Sequence, residues 1–298
     1  MRILAVVAVV AWLHLYPAAP RADLPVVKTQ DYVMSGAVRP LLFWMGRDNI
    51  GLARIVWRSG ANGARGYDLL VGTDPDRAPR GINRWGLISE QSAAGGGSLL
   101  ALMTGSNETT YEAEASTVGK GAGDFHVIRG STVGRTATWQ LLRVRTPDAL
   151  TLHQAPDVLA VVGRRAASAP EQTRVLPDDL RTGFLMTVAE MLDRAVARAT
   201  AGSFDTSAAP VRYIFGSHTY EMRLRSARPV ASSYAGRTVP AVRTRFDTKA
   251  LDTGDLSSFD LVTATTGDLA GVPLLIEWQP RWWLRVRLEL ATVPQLGL

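Results

Sequence analysis

From Val38 to Val162 the chain is a succession of short apolar runs, broken about every eight to twelve residues by Gly, Asp, Asn or Pro. Runs of that length suit strands better than helices, and the regular breaks are those of antiparallel strands joined by turns. Leu41-Leu42-Phe43-Trp44 and Ala53-Arg54-Ile55-Val56-Trp57 flank Arg47-Asp48-Asn49, with Gly46 and Gly51 free to take positive φ, which predicts a hairpin. Further strands are expected at 67–71, 85–90, 98–103, 111–115, 125–129, 138–145 and 158–162, with turns at Gly95-Gly96-Gly97 and Gly119-Lys120-Gly121-Ala122-Gly123.

The period changes after Ala166–Pro177, a small, polar stretch that reads as a linker. Leu180, Phe184, Val188, Met191, Ala195 and Ala199 recur at spacings of three and four, and Glu190 and Arg194 form an i, i+4 pair on another face. One long helix is expected over about 178–201, with Pro177-Asp178-Asp179 as its acidic start and Gly202 as its stop. Strands resume at 211–215, 218–225, 239–246, 259–263, 273–278 and 283–290. Tyr220, Met222 and Leu224 oppose Glu221, Arg223 and Arg225, and Leu284, Val286, Leu288 and Leu290 oppose Arg285, Arg287 and Glu289. A wet face on such strands implies antiparallel pairing. The expected fold is mainly β: one or two curved antiparallel sheets, or an open barrel, with the helix packed across an open face.

Ahead of this lies Arg2, a run from Ile3 to Leu15 that is apolar except for His14, and a Pro- and Ala-rich segment to Ala22, the order of a secretory signal peptide. A run of thirteen residues falls short of the roughly 20 a membrane-crossing helix needs. The organisation expected is a signal peptide over 1–22, a β region over 23–165, a linker and helix over 166–204, and a second β region over 205–298. The compartment is the periplasm or the exterior, with no transmembrane span after cleavage. Removing Arg2 and Arg21 lowers the formal charge of +6 by two, so the mature protein is mildly basic. The absence of Cys excludes disulfide scaffolds, Cys-based zinc sites and thiol nucleophiles.

Chemistry is sparsely signalled. There is no G-x-S-x-G elbow, H-E-x-x-H pair, Walker A loop or helix-opening G-x-G-x-x-G, and neither a metal nor a cofactor is implied. His126, His153 and His218 lie on separate segments without ligand spacing. Two loops concentrate polar and aromatic residues: Arg47 and Asp48 beside Trp44 and Trp57, and Arg77, Arg80 and Arg84 before Trp85. Their guanidinium groups beside indoles suit an anionic or sugar-like group, or a salt-bridge network fixing a hairpin. Near the C-terminus Trp278, Trp282 and Trp283 surround a Pro turn, and indoles favour boundaries with one apolar and one wet side. Arg223, Arg225, Arg243, Arg245, Arg285 and Arg287 recur at every second residue, giving a positive stripe if their strands are neighbours. Export argues against nucleic acid as partner, and nearby acids suit cross-strand ion pairs.

The stretch Gly271-Val272-Pro273-Leu274-Leu275-Ile276-Glu277-Trp278, with Pro280-Arg281-Trp282-Trp283-Leu284-Arg285-Val286-Arg287-Leu288, resembles uncharacterised bacterial periplasmic families. These carry a domain of unknown function akin to the open β-barrel of lipoprotein carriers. The resemblance covers about the last 90 residues and carries over no functional residue. It implies a fold and a compartment. The function expected is that of an exported envelope protein binding, without catalysis, a lipid-like or other hydrophobic ligand, or an envelope protein partner. The alternatives are an envelope hydrolase or glycan-acting enzyme using one of the three histidines, and an assembly scaffold without a small ligand.

Overall fold

The structure is a computed structural model that describes residues 24–39, 44–104, 124–146, 149–166, 169–202, 209–281 and 283–296. The signal peptide, the strand expected at 111–115, the Gly119–Gly123 turn, Leu41 to Phe43 and Trp282 lie outside the described residues.

Among the described residues fifteen strands form one sheet. They are β1 (Val26–Val38), β2 (Met45–Ser59), β3 (Arg65–Thr73), β4 (Trp85–Ala93), β5 (Gly96–Thr104), β6 (Asp124–Val133), β7 (Thr136–Arg145), β8 (Gln172–Val175), β9 (Leu180–Thr182), β10 (Val211–Phe215), β11 (His218–Tyr234), β12 (Arg237–Ala250), β13 (Leu256–Ala264), β14 (Pro273–Arg281) and β15 (Leu284–Leu290). Among the described residues two α-helices accompany them, α1 (Ala155–Ala166) and α2 (Phe184–Thr200). The sheet order runs from β8 down to β1, then from β15 down to β9, so the first and last strands pair at its middle. Every pairing is antiparallel except β9 with β10. The two edges, β8 and β9, are consecutive in the chain, and only residues 176–179 separate them.

The sheet curves around α2, which touches β3 and β4 of one half and β10, β11 and β12 of the other. Its apolar stripe of Met191, Leu192, Ala195 and Ala199 packs on Tyr213, Met222, Leu224, Val242, Phe246 and Phe259. The opposite face of β2 to β7 is covered by α1, where Leu152, Ala155, Val158 and Val162 meet Leu52, Leu70, Trp85, Leu102, Phe125 and Val144. At β3 and β4 the sheet is covered on both faces, which suits the continuous run Leu69-Leu70-Val71, whereas Met103 of β5 and Leu141 of β7 stay exposed. In the other half, Arg223, Arg225 and Arg285 are exposed on the convex face, opposite buried Met222, Leu224 and Leu288.

Three expectations fail. The helix expected over 178–201 is shorter, because Leu180 belongs to β9 and pairs with Arg212, and Gly183 at φ +87° separates that strand from the 17 residues of α2. The segment 158–162 is part of α1 and not a strand. A five-residue apolar run does not distinguish the two, and here a Thr151/Gln154 capping box and Pro156 in the first turn start the helix. No turn forms at Arg47-Asp48-Asn49. Strand β2 runs through it with an irregular register, Asn49 taking φ +54°, and the hairpin partner of β2 is β1. The linker also contains β8.

A buried ion pair fastens the chain's last described residues. Arg54 Nε donates to Asp31 Oδ1 at 2.6 Å, and Asp31 Oδ2 accepts from the amides of Gln295 at 2.7 Å and Leu296 at 3.0 Å, while Leu296 inserts into the α1 core. Burial disfavours the ionised Asp31, but the Arg54 hydrogen bond and the two amides outweigh it and hold the carboxyl below its usual range. Asp31→Asn removes the carboxylate that pairs with Arg54 and accepts the Gln295 and Leu296 amides, and is expected to lower stability by about 3 kcal/mol in urea unfolding. A loss below about 1 kcal/mol would show that the pair acts like an exposed one.

Candidate functional site

The centre of the sheet decides which loops become neighbours. Val38 at the end of β1 pairs with Met45 of β2 on one side and Leu284 of β15 on the other. The 39–44 and 281–284 connections therefore lie side by side, and the Arg39 amide donates to the Trp283 carbonyl at 2.8 Å. The Arg285 guanidinium stacks over the Trp44 ring, 4.6 Å from its centroid. Trp278 lies opposite Phe259 and Val286, and the adjacent β12–β13 turn brings Leu251 and Leu256 to the same end of the sheet.

Apolar exposure concentrates there. Trp278 is 46% exposed, Trp283 42%, Met45 56%, Val38 42% and Leu256 67%. Single exposed apolar residues are ordinary on a soluble surface, but several at one end of neighbouring strands β1, β2 and β14 are not. The cationic loop also reaches this rim. Asp74 donates its amide to the Ile50 carbonyl at 3.0 Å, and Arg77 Nη1 donates to Asn49 Oδ1 at 2.9 Å while its Nε pairs with Asp74. The two loops singled out in the sequence thus meet at Asn49 and Arg77, while Arg285 is the cation stacked on an indole of the rim.

Two of the indoles lie elsewhere. Trp85 is 4% exposed, packs 5.2 Å from the Phe125 ring and donates Nε1–H to the Leu150 carbonyl. It belongs to the α1 core, and so does the end of its loop, since the Arg84 amide donates to the Thr73 hydroxyl. Trp57 pairs with Tyr67 near the far end of β2 and packs in the central core. Sequence reading missed Val38, Met45 and Leu256, which become rim residues only through the β1 pairings.

The arginine stripe forms ion pairs. Arg243 bonds to both Asp260 and Glu277, Arg225 to Asp247, and Arg287 to Glu289. The Asp260 hydrogen bond raises the Arg243 pKa against the effect of burial. The histidines do not converge: His126 is on β6, His153 in the turn before α1, and His218 on β11, where it bonds to Asp252. That bond, outweighing the slight desolvation, lowers the Asp252 pKa. Among the described residues no group of three or more His, Asp or Glu side chains could hold a metal ion.

Two recesses lie beside α2 among the described residues. A crevice of about 40 Å³ lies at the start of α2 between β4 to β6 and β10, lined by Leu99, Trp139, Met186 and Ile214, room for a water or two. An open groove of about 380 Å³ beside α2 is lined by Arg65, Tyr67, Glu190, Asp193 and Arg194, a charged surface unsuited to an acyl chain.

No protein-family model matches the sequence, and no curated protein matches it. Among solved structures the chain is similar to a β-barrel-like protein of the domain of unknown function DUF1849 from Brucella abortus. The identity is 9%, over 88% of this chain and 95% of that one, with a TM-score of 0.38. It is also similar to a lipoprotein candidate from Parabacteroides distasonis, with 11% identity over 90% and 95% of the two chains and a TM-score of 0.29. Neither likeness is confined to the last 90 residues, and neither carries a residue-level correspondence.

The placement of the indoles separates core from rim in a measurable way. Trp85→Ala is expected to cost about 3 to 5 kcal/mol through cavity formation, whereas Trp283→Ser should stay within about 0.5 kcal/mol of the parent. Chemical denaturation of both variants checks this, and equal losses would place Trp283 in a packed core.

Proposed function

We propose that this is an exported envelope protein that engages a lipid-like surface through the rim formed by Val38, Met45, Trp44, Trp278 and Trp283. The observation that carries the reading is the gathering of exposed indole, thioether and branched side chains from β1, β2, β14 and the β14–β15 turn at one end of the sheet. Indoles gain most where an apolar and a wet phase meet. Arg285, stacked on Trp44, and exposed Arg47 on the strand of Met45 suit phosphate groups at the level of a membrane headgroup. The signal-like sequence before Asp23 supports delivery to the envelope.

Contact at the surface fits the structure better than a ligand carried inside. Pockets for drug-sized ligands run from about 300 Å³ upward and are mostly apolar, whereas the concave face here is filled by α2 and its apolar crevice measures about 40 Å³. No helix among the described residues is long and apolar enough to cross a membrane. Attachment through the rim would be peripheral.

Co-sedimentation with vesicles of phosphatidylglycerol and phosphatidylcholine tests the proposal. The protein is expected to pellet with the anionic vesicles, and Trp278→Ser and Trp283→Ser should each weaken the partition about tenfold, the equivalent of roughly 1.4 kcal/mol of lost apolar burial. Failure of the parent protein to pellet at low salt, or unchanged partition of the double variant, would sink it.

A further inference from the structure

One member of the arginine stripe holds no acid. Arg223 pairs with Glu221, Arg225 with Asp247, Arg243 and Arg245 with Asp260, and Arg287 with Glu289. Arg285, exposed on the same face, meets no carboxylate among the described residues and lies over the Trp44 ring instead. A guanidinium over an indole face still offers the edge of its fork to an acceptor.

A second cation without an acid stands beside it. Ala37 pairs with Arg285 and Val38 with Leu284, and the Arg39 amide continues that ladder by donating to the Trp283 carbonyl at 2.8 Å. Alternation along β1 and β15 therefore turns Arg39, Trp283 and Arg285 to one face, with Arg39 and Arg285 one diagonal step apart. Diagonal neighbours stand about 7 to 8 Å apart, a distance that two arginine side chains close on a single anion. Trp44 precedes Met45, the partner of Val38, and so stands on the other side of Arg39 from Trp283. The Arg39 side chain is half-buried, its Nε is buried with no acceptor, and no acid among the described residues reaches it. A cation drawn part-way out of water without a counter-charge is unfavourable, and an anion at its Nη groups offsets that cost.

We propose that Arg39 and Arg285, between Trp44 and Trp283, form a seat for the phosphate monoester of a ligand. The seat stands on the two cations; that a membrane lipid supplies the phosphate rests on the rim reading above. Charge and shape select the class. A phosphate monoester carries close to two negative charges near neutral pH and presents three terminal oxygens, enough for two guanidinium forks at once. A phosphate diester carries a single charge and fewer free oxygens, and a carboxylate is saturated by one fork. Two unpaired arginines on one face are therefore matched in full by the monoester.

Isothermal titration calorimetry of the full chain at pH about 7.5, with methyl phosphate and dimethyl phosphate as probes, tests the seat. Methyl phosphate is expected to bind about tenfold more tightly than dimethyl phosphate. The double variant Arg39→Lys/Arg285→Lys, which keeps both charges and loses both forks, should lower the methyl phosphate affinity about tenfold. Equal behaviour of the two esters, absence of binding included, overturns the seat, and so does undiminished binding by the double variant. The comparison of esters needs only the parent protein, so it decides the matter even if the variant does not fold. Co-sedimentation identifies the source: phosphatidic acid vesicles are expected to hold the protein about tenfold more tightly than phosphatidylglycerol vesicles of matched surface charge. Preference for methyl phosphate without a preference among vesicles assigns the seat to a soluble phosphate. Preference for methyl phosphate with neither vesicle bound sinks the rim reading and leaves the seat, whereas binding to both vesicles without discrimination between the esters leaves the rim and removes the seat.

Discussion

The pairing of β1 with β15 is the contact on which the architecture rests. Seven residue pairs, from Tyr32 with Leu290 to Val38 with Leu284, join segments about 250 residues apart in the sequence. Closing so long a loop is entropically unfavourable, and only the burial gathered around the pair offsets it. Tyr32, fully buried, donates its hydroxyl to the Pro273 carbonyl, and Met34, Leu288 and Leu290 complete the central core. The Asp31–Arg54 clamp sits at the same place. With the ends of the chain at the middle of the sheet, its edges fall at the middle of the chain.

That arrangement accounts for what surrounds α2. Short edge strands of four and three residues leave few unpaired backbone groups for another chain to join. The gap between them receives side chains from both halves, so the helix that follows β9 starts against β4 and ends among the strands of the other half. Glu90 in this setting meets backbone amides and no cation among the described residues, and its burial raises the carboxyl above the ordinary range although the amides pull it down. The rim is the product of the same pairing seen from the end of the sheet, since β1 sets the β2 and β14–β15 loops side by side.

Much of the fold was legible because strands with one wet face write their geometry into the sequence. Val211 to Phe215 was readable residue for residue, and Met222 and Leu224 alternate with Arg223 and Arg225 as their burial demands. The body of α2 was equally plain from its three-and-four spacing. What escaped were elements whose pattern is set by distant partners. In β1, polar Lys28, Gln30 and Asp31 obscure a central strand whose charge is neutralised by Arg54 of β2. Val158 to Val162 is apolar for the same reason as the strands it covers. Of the site, the polar loops were visible, but nothing local revealed that Trp85 faces α1 while Trp44 meets Arg285. Glu90 gave no signal at all, since its partner is the start of a helix nearly a hundred residues later.

The meeting of the two ends also governs how the molecule bears load. The chain enters β1 and leaves β15 at the same end of the ladder, where the Ala291 amide still donates to the Asp31 carbonyl. Tension applied to both flanks would open that ladder one rung at a time, as a zipper, and would not shear all its rungs together. The Asp31 clamp on Gln295 and Leu296 is the first fastening such a pull would meet, so mechanical resistance at the centre of this wide sheet depends on one carboxylate and two amides.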